Sequence, residues 1–112
     1  MLKKIEDAYP NYQERFFDGR EVVGLNVMVS GDRATVGTVS TILVDSDDQF
    51  KYLVIDVGAF STEQRLLSMK HCRIDLDSQC IVTSYIQKQR QVDSLPLFDP
   101  DNLSDLSVAD PA

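Results

Sequence analysis

Apolar side chains recur with a period of two through much of Thr35 to Asp45, at Gly37 and Val39 on odd positions and then at Ile42 and Val44 on even ones. Strict alternation of this kind predicts a strand with one buried face, and the change of phase predicts a bulge or bend near Ser40 and Thr41. Similar β-branched and aromatic runs predict a strand before it, from Val22 to Ser30, and one after it, from Phe50 to Val57. The last of these is apolar on both faces, with Leu53 and Ile55 on one side and Tyr52 and Val54 on the other. It is therefore expected in the middle of a sheet. Gly31-Asp32 and Ser46-Asp47-Asp48 supply the intervening turns.

A fourth strand is expected from Gln64 to Met69, followed by a hairpin of Arg73 to Leu76 and Cys80 to Ser84 around Asp77-Ser78. With that turn, paired residue numbers sum to 155, so Cys72 faces Thr83 and Cys80 faces Asp75. The two cysteines are then not disulfide partners. Ile86 to Val92 is polar with sparse apolar positions, and Pro96 limits any helix there to a turn or two. At the start, Asn11 with Glu14 three residues on fits either a short helical turn to Phe17 or an extended arm. These elements divide the 112 residues into an N-terminal arm (1–21), a β domain (22–98) and an acidic flexible tail (99–112).

Net charge is −7, but five aspartates and no Lys or Arg fall within the last twenty residues, which leaves the remainder near −2. Such a body has no general attraction for phosphate backbones, and Lys70, His71 and Arg73 form its one basic cluster. Nucleic acid is thus not the expected partner. Met1 to Lys4 is basic, yet Glu6, Asp7 and Pro10 interrupt any apolar stretch behind it, and two cysteines fit a reducing compartment. The expectation is a cytoplasmic protein with no transmembrane segment.

Candidate chemistry is sparse. His71, Cys72, Cys80 and Asp75 lack the spacing of a structural zinc site, and Asp45, Asp47 and Asp48 lack the glycine and trailing glutamate of a calcium loop. Ser68 and Ser84 lie in no nucleophile-elbow sequence, and Gly24, Gly37 and Gly58 lack a phosphate-binding context. Asp56, set in an apolar strand, is expected to be ion-paired, hydrogen-bonded or at the strand's wet end, with Arg65 and Arg73 as candidate partners. No catalytic residue, metal ligand or cofactor is expected.

Gly24, Gly37-Thr38-Val39 leading to Leu43-Val44-Asp45, the strand from Tyr52 to Gly58 and Leu95-Pro96 together resemble the PRC-barrel family, over about Val22 to Pro96. That family is named for the photosynthetic reaction-centre H subunit and shared with a ribosome-maturation factor. Pro10-Asn11-Tyr12, Phe50 to Asp56 and Leu95-Pro96-Leu97-Phe98 are similar to the branch found in front of a stress-response domain of the YsnF/AvaK type. The chain departs from that branch at Ala59 to Arg65 and at Met69, and the second domain is absent, so it is either a stand-alone barrel or a fragment. The resemblance implies an all-β fold: a small antiparallel barrel of five or six strands with a short C-terminal helix.

It further implies a non-enzymatic protein-interaction or assembly module, related to stress or photosynthesis. The partner is a protein, with a homodimer and peripheral association with a membrane complex as variants. A ribosome-associated maturation factor, contacting ribosomal protein or RNA, is the alternative. The arm is expected to pack on the barrel, its aromatics covering one end; the candidate interaction residues are Phe60 and Arg65 in the 59–65 loop, Phe16 and Phe17 as the arm's alternative role, and Lys70, His71 and Arg73 in the basic cluster.

Overall fold

The computed structural model describes residues 2–31, 34–57, 63–84 and 95–98. In order along the chain come β1 (Lys3–Lys4), α1 (Ile5–Ala8), α2 (Tyr12–Phe16), β2 (Asn26–Val29), β3 (Thr35–Val44) and β4 (Phe50–Val57). They are followed by β5 (Glu63–Ser68), a 3-10 turn (Met69–His71), β6 (Cys72–Asp75) and β7 (Cys80–Thr83). All seven strands belong to one sheet, ordered β5-β4-β3-β2-β7-β6, with β1 pairing β3 off this path. The seventh strand, relative to the sequence expectation, is the two-residue β1. Among the described residues the ladder is open, with β5 and β6 at its two ends.

β4 lies between β3 and β5, and each of its faces meets a separate apolar cluster. Leu53 and Ile55 enter the main core with Val27, Val39, Ile42, Leu67 and Ile81. Tyr52 and Val54 point the other way, into a smaller cluster with Leu2, Leu43 and Leu66, against which Phe98 packs. Burial on both faces explains why this strand is a nearly continuous apolar run. The phase change in β3 is met by a register shift between Val39 and Thr41 against β4. The extra residue lets Val39 and Ile42 reach the same core.

Several expectations are corrected. The first strand begins at Asn26 rather than Val22, because Val22 to Leu25 forms a turn closed by a bond from Leu25 N–H to the Val22 carbonyl. Gly24 occupies the position of that turn with φ +94°, a conformation that side chains disfavour. β2 and β7 pair in parallel, so the ladder is not wholly antiparallel. The 3-10 turn leads from β5 into β6 without reversing the strand sense defined by the ladder, so β7 returns running alongside β2. The helix expected over Ile86 to Val92 and the tail beyond residue 98 lie outside the described residues.

At the N terminus, the alternative left open resolves as the helical turn α2. Asn11 makes no side-chain cap; its carbonyl instead accepts from Glu14 and Arg15 N–H at 3.1 Å. Ile5, Tyr12 and Phe17 belong to the main core, and Lys3 and Lys4 pair with Val44 and Leu43. No helix among the described residues is long and apolar enough to cross a membrane.

Candidate functional site

The two ends of the ladder are finished differently. Along the outer edge of β5, the Leu66 N–H donates to the Pro96 carbonyl at 2.8 Å and the Phe98 N–H to the Gln64 carbonyl at 2.9 Å. Arg65 and Leu97 form an antiparallel bridge between these bonds, and the Arg65 guanidinium holds the Leu95 carbonyl at 2.6 Å. Leu95 to Phe98 therefore covers that edge. β6, at the other end, pairs only with β7 among the described residues.

The hairpin that carries β6 has the register expected from its turn, with Cys72 opposite Thr83 and Asp75 opposite Cys80. Its tip spans Leu76 to Gln79; Gln79 takes φ +56° and donates its N–H to the Leu76 carbonyl at 3.2 Å. The Asp75 carboxylate accepts from Ser78 N–H at 3.1 Å. That backbone bond, aided by the Ser78 hydroxyl, holds the Asp75 carboxyl below its ordinary value. At the opposite end, Ser68 accepts from Lys70 N–H, and the Cys72 N–H returns to the Met69 carbonyl. Burial pushes the Cys72 thiol up to about 11, and its Sγ donates to the Ser68 carbonyl at 3.4 Å.

Three shallow hollows follow one another along this hairpin. The first, about 370 Å³, is bordered by Ser30, Lys70, His71, Arg73 and Ser84. The second, about 350 Å³, shares Arg73 with it and runs past Ile74 and Asp75 to Asp77, opposite Asp18 and Arg20. The third, about 660 Å³, shares Arg20, Leu76 and Asp77 with the second and lies against Val23, Gly24 and Leu25. Arg20 reaches Asp77 at 3.3 Å between the last two. The surface is a mixed one, basic beside the 3-10 turn and of alternating sign along β6. Among the described residues no three of His, Cys, Asp or Glu gather into a metal-binding set.

Of the candidate residues, Lys70, His71 and Arg73 are brought together in the first hollow. Phe17 is not exposed: it lies in the core at 4% exposure, where it packs on Phe50 and Tyr12, and so offers no docking surface. Phe16 is half-buried, with its ring 5.2 Å from those of Tyr9 and Phe50. Arg65 is occupied with Leu95 and Glu63 on the covered edge, and Phe60 falls outside the described residues. Asp56 pairs with neither Arg65 nor Arg73; its carboxylate accepts from the Gln64 amide at 2.9 Å, which also reaches Ser40. Gln64 stands directly opposite Asp56 on β5, so cross-strand register decides the pairing.

Ile74 and Arg20 were not singled out by sequence, and Asp75 and Asp77 were not read as part of an interaction surface. The alternation Arg73-Ile74-Asp75 carries the signal, since it marks a strand with charged residues on one face and an apolar residue on the other. The chain matches no protein-family model, and no curated protein is significantly similar to it.

Proposed function

We propose that this chain is a non-enzymatic protein-interaction module of the PRC-barrel type, its coiled sheet forming the wall of a small barrel and its partners docking along β6. The role is assembly or regulation of a larger complex, in a stress response or beside a photosynthetic one. The observation that carries this reading is the edge of β6, unpaired among the described residues and followed by three adjoining hollows. Exposed strand edges are templates for pairing with another chain, and hollows beside them give side chains a place to be read.

Lys70 borders this edge whereas Lys3 and Lys51 lie elsewhere, which makes lysine-directed crosslinking in native lysate a direct test. Intermolecular links are expected to concentrate at Lys70. Links spread evenly over the lysines, or absent altogether, would overturn the proposal.

The gathering of Lys70, His71 and Arg73 in one hollow favours, as a second reading, a ribosome-associated factor contacting ribosomal protein or RNA. On that reading the protein binds small-subunit particles at low salt, and Lys70→Glu with Arg73→Glu abolishes binding. Undetectable binding at low salt removes it.

A further inference from the structure

The outer edge of β6 has a defined hydrogen-bonding phase. Ser84 N–H donates to the His71 carbonyl at 2.9 Å, so residues 71, 73 and 75 direct their backbone groups toward β7. Cys72 and Ile74 direct theirs to the open side. The Cys72 N–H is taken by the Met69 carbonyl. Among the described residues of β6, Ile74 is left presenting both N–H and C=O outward. Its side chain, with those of Cys72 and Leu76, packs partly on the main core, while the exposed Arg73 and half-buried Asp75 occupy the opposite face.

From this arrangement, and resting on the interaction-module reading above, we infer that the partner of β6 is a second copy of the same chain, paired antiparallel about a twofold axis through Ile74. In that register the two Ile74 residues exchange both backbone bonds. Each Arg73 stands opposite the Asp75 of the other copy, and the four charges alternate in sign around a square. The contact is self-complementary, as a twofold interface requires.

The same hydrogen-bonding phase allows two neighbouring registers, and the charges disfavour both. Sliding one way puts the axis through Arg73 and sets two guanidinium groups face to face. Sliding the other way puts it through Asp75 and opposes two carboxylates. Like charges directly opposite on paired strands are destabilising, so within Cys72–Asp75 only the register centred on Ile74 sets opposite charges against each other. The hollow bordered by Arg73, Ile74 and Asp75 lies along this edge, with Asp18 and Arg20 as its other wall. A four-residue strand gives a small contact, which fits a weak, reversible dimer rather than an obligate one.

Sedimentation velocity from about 5 to about 500 µM tests the inference. The wild-type chain is expected to dimerise reversibly. Arg73→Asp opposes carboxylates on both sides of the axis, Asp75→Arg opposes guanidinium groups, and each is expected to weaken the dimer at least about tenfold. The double variant Arg73→Asp/Asp75→Arg restores the alternation and the dimer. Mixing the two single variants produces a heterodimer from chains that are each monomeric, which misfolding cannot mimic. A wild-type chain that stays monomeric throughout, or a dimer indifferent to these exchanges, overturns the inference. Monomer with crosslinks from Lys70 to another protein removes the second copy while keeping the interaction module; monomer without such links removes both.

Discussion

The Tyr12 hydroxyl donates to the Glu21 carboxylate at 2.5 Å and so ties α2 to the turn that opens into β2. Glu21 also accepts from the backbone N–H groups of Val22 and Val23 and from the Gln13 amide. The Tyr12 ring meanwhile lies 6.3 Å from Phe17, edge to face. Tyr12→Phe keeps the ring and removes one bond to a charged acceptor, so it is expected to cost about 1.5 kcal/mol. Urea denaturation should show a lower midpoint with unchanged slope. Tyr12→Ala removes the buried ring as well and is expected to cost about 3 kcal/mol or more.

The same pair gives the fold a pH signature. Burial alone would raise the Glu21 carboxyl, but bonds from Tyr12, Val23, Gln13 and Val22 outweigh it and hold the group below its ordinary value. Asp45 is lowered chiefly by Gln49 N–H, and Asp75 by Ser78 N–H. These folded-state values lie below the unfolded ones, so their stabilisation is complete above the ordinary carboxylate range and lost as pH falls through the depressed values. Urea titrations at stepped pH should show stability declining on the acid side, with a shallower decline in Glu21→Gln.

On the alkaline side the sign reverses. Burial, then the Glu21 bond and charge, push the Tyr12 phenol up to about 12. Its contribution is present below the ordinary tyrosine value near 10 and is lost as pH rises through about 12. The difference in phenolate absorbance between wild type and Tyr12→Phe should therefore titrate near pH 12 in the folded protein and near 10 in urea.

Gly37 lies against the backbone of Asp56, and a β-carbon there would collide with the Asp56 carbonyl oxygen and meet Val57 Cγ1 at 3.4 Å. The ladder leaves little room to yield, because the adjacent Thr38 pairs directly with Asp56. Gly37→Ala is expected to cost about 2 kcal/mol in a urea melt. Gly24→Ala meets open space but must adopt φ +94°, and is expected to cost about 1 kcal/mol through backbone strain alone.

Cys72 should be a slow nucleophile. With its thiol near 11, little thiolate exists at pH 8, and the Ser68 carbonyl engages the proton. In a Cys80→Ser background, alkylation followed by mass should be slow in the native protein and rise sharply once urea unfolds it.

Sequence legibility tracked how local each determinant was. Phe50 to Val57 was readable as a central strand because both its faces are apolar, and the sum-155 register followed from a turn four residues long. The Val39 to Thr41 shift was readable as a slip of phase. The parallel pairing of β2 with β7 depends on how the 3-10 turn redirects the chain, and no local pattern encodes it. Burial of Phe17 rests on Phe50, far away in sequence, and the Asp56 partner rests on cross-strand register. The basic cluster was visible as neighbouring residues, but the edge position of Arg73-Ile74-Asp75 emerges only from the strand order.

Leu95 to Phe98, bonded along β5, closes one of the two ends of the path from β5 to β6 and leaves the β6 end for the pairing inferred above. Two monovalent particles satisfy each other and stop. A particle open at both ends of that path would go on adding subunits, so on the same inference the four-residue strip would be a chain terminator, while its Phe98 packs on the smaller apolar cluster.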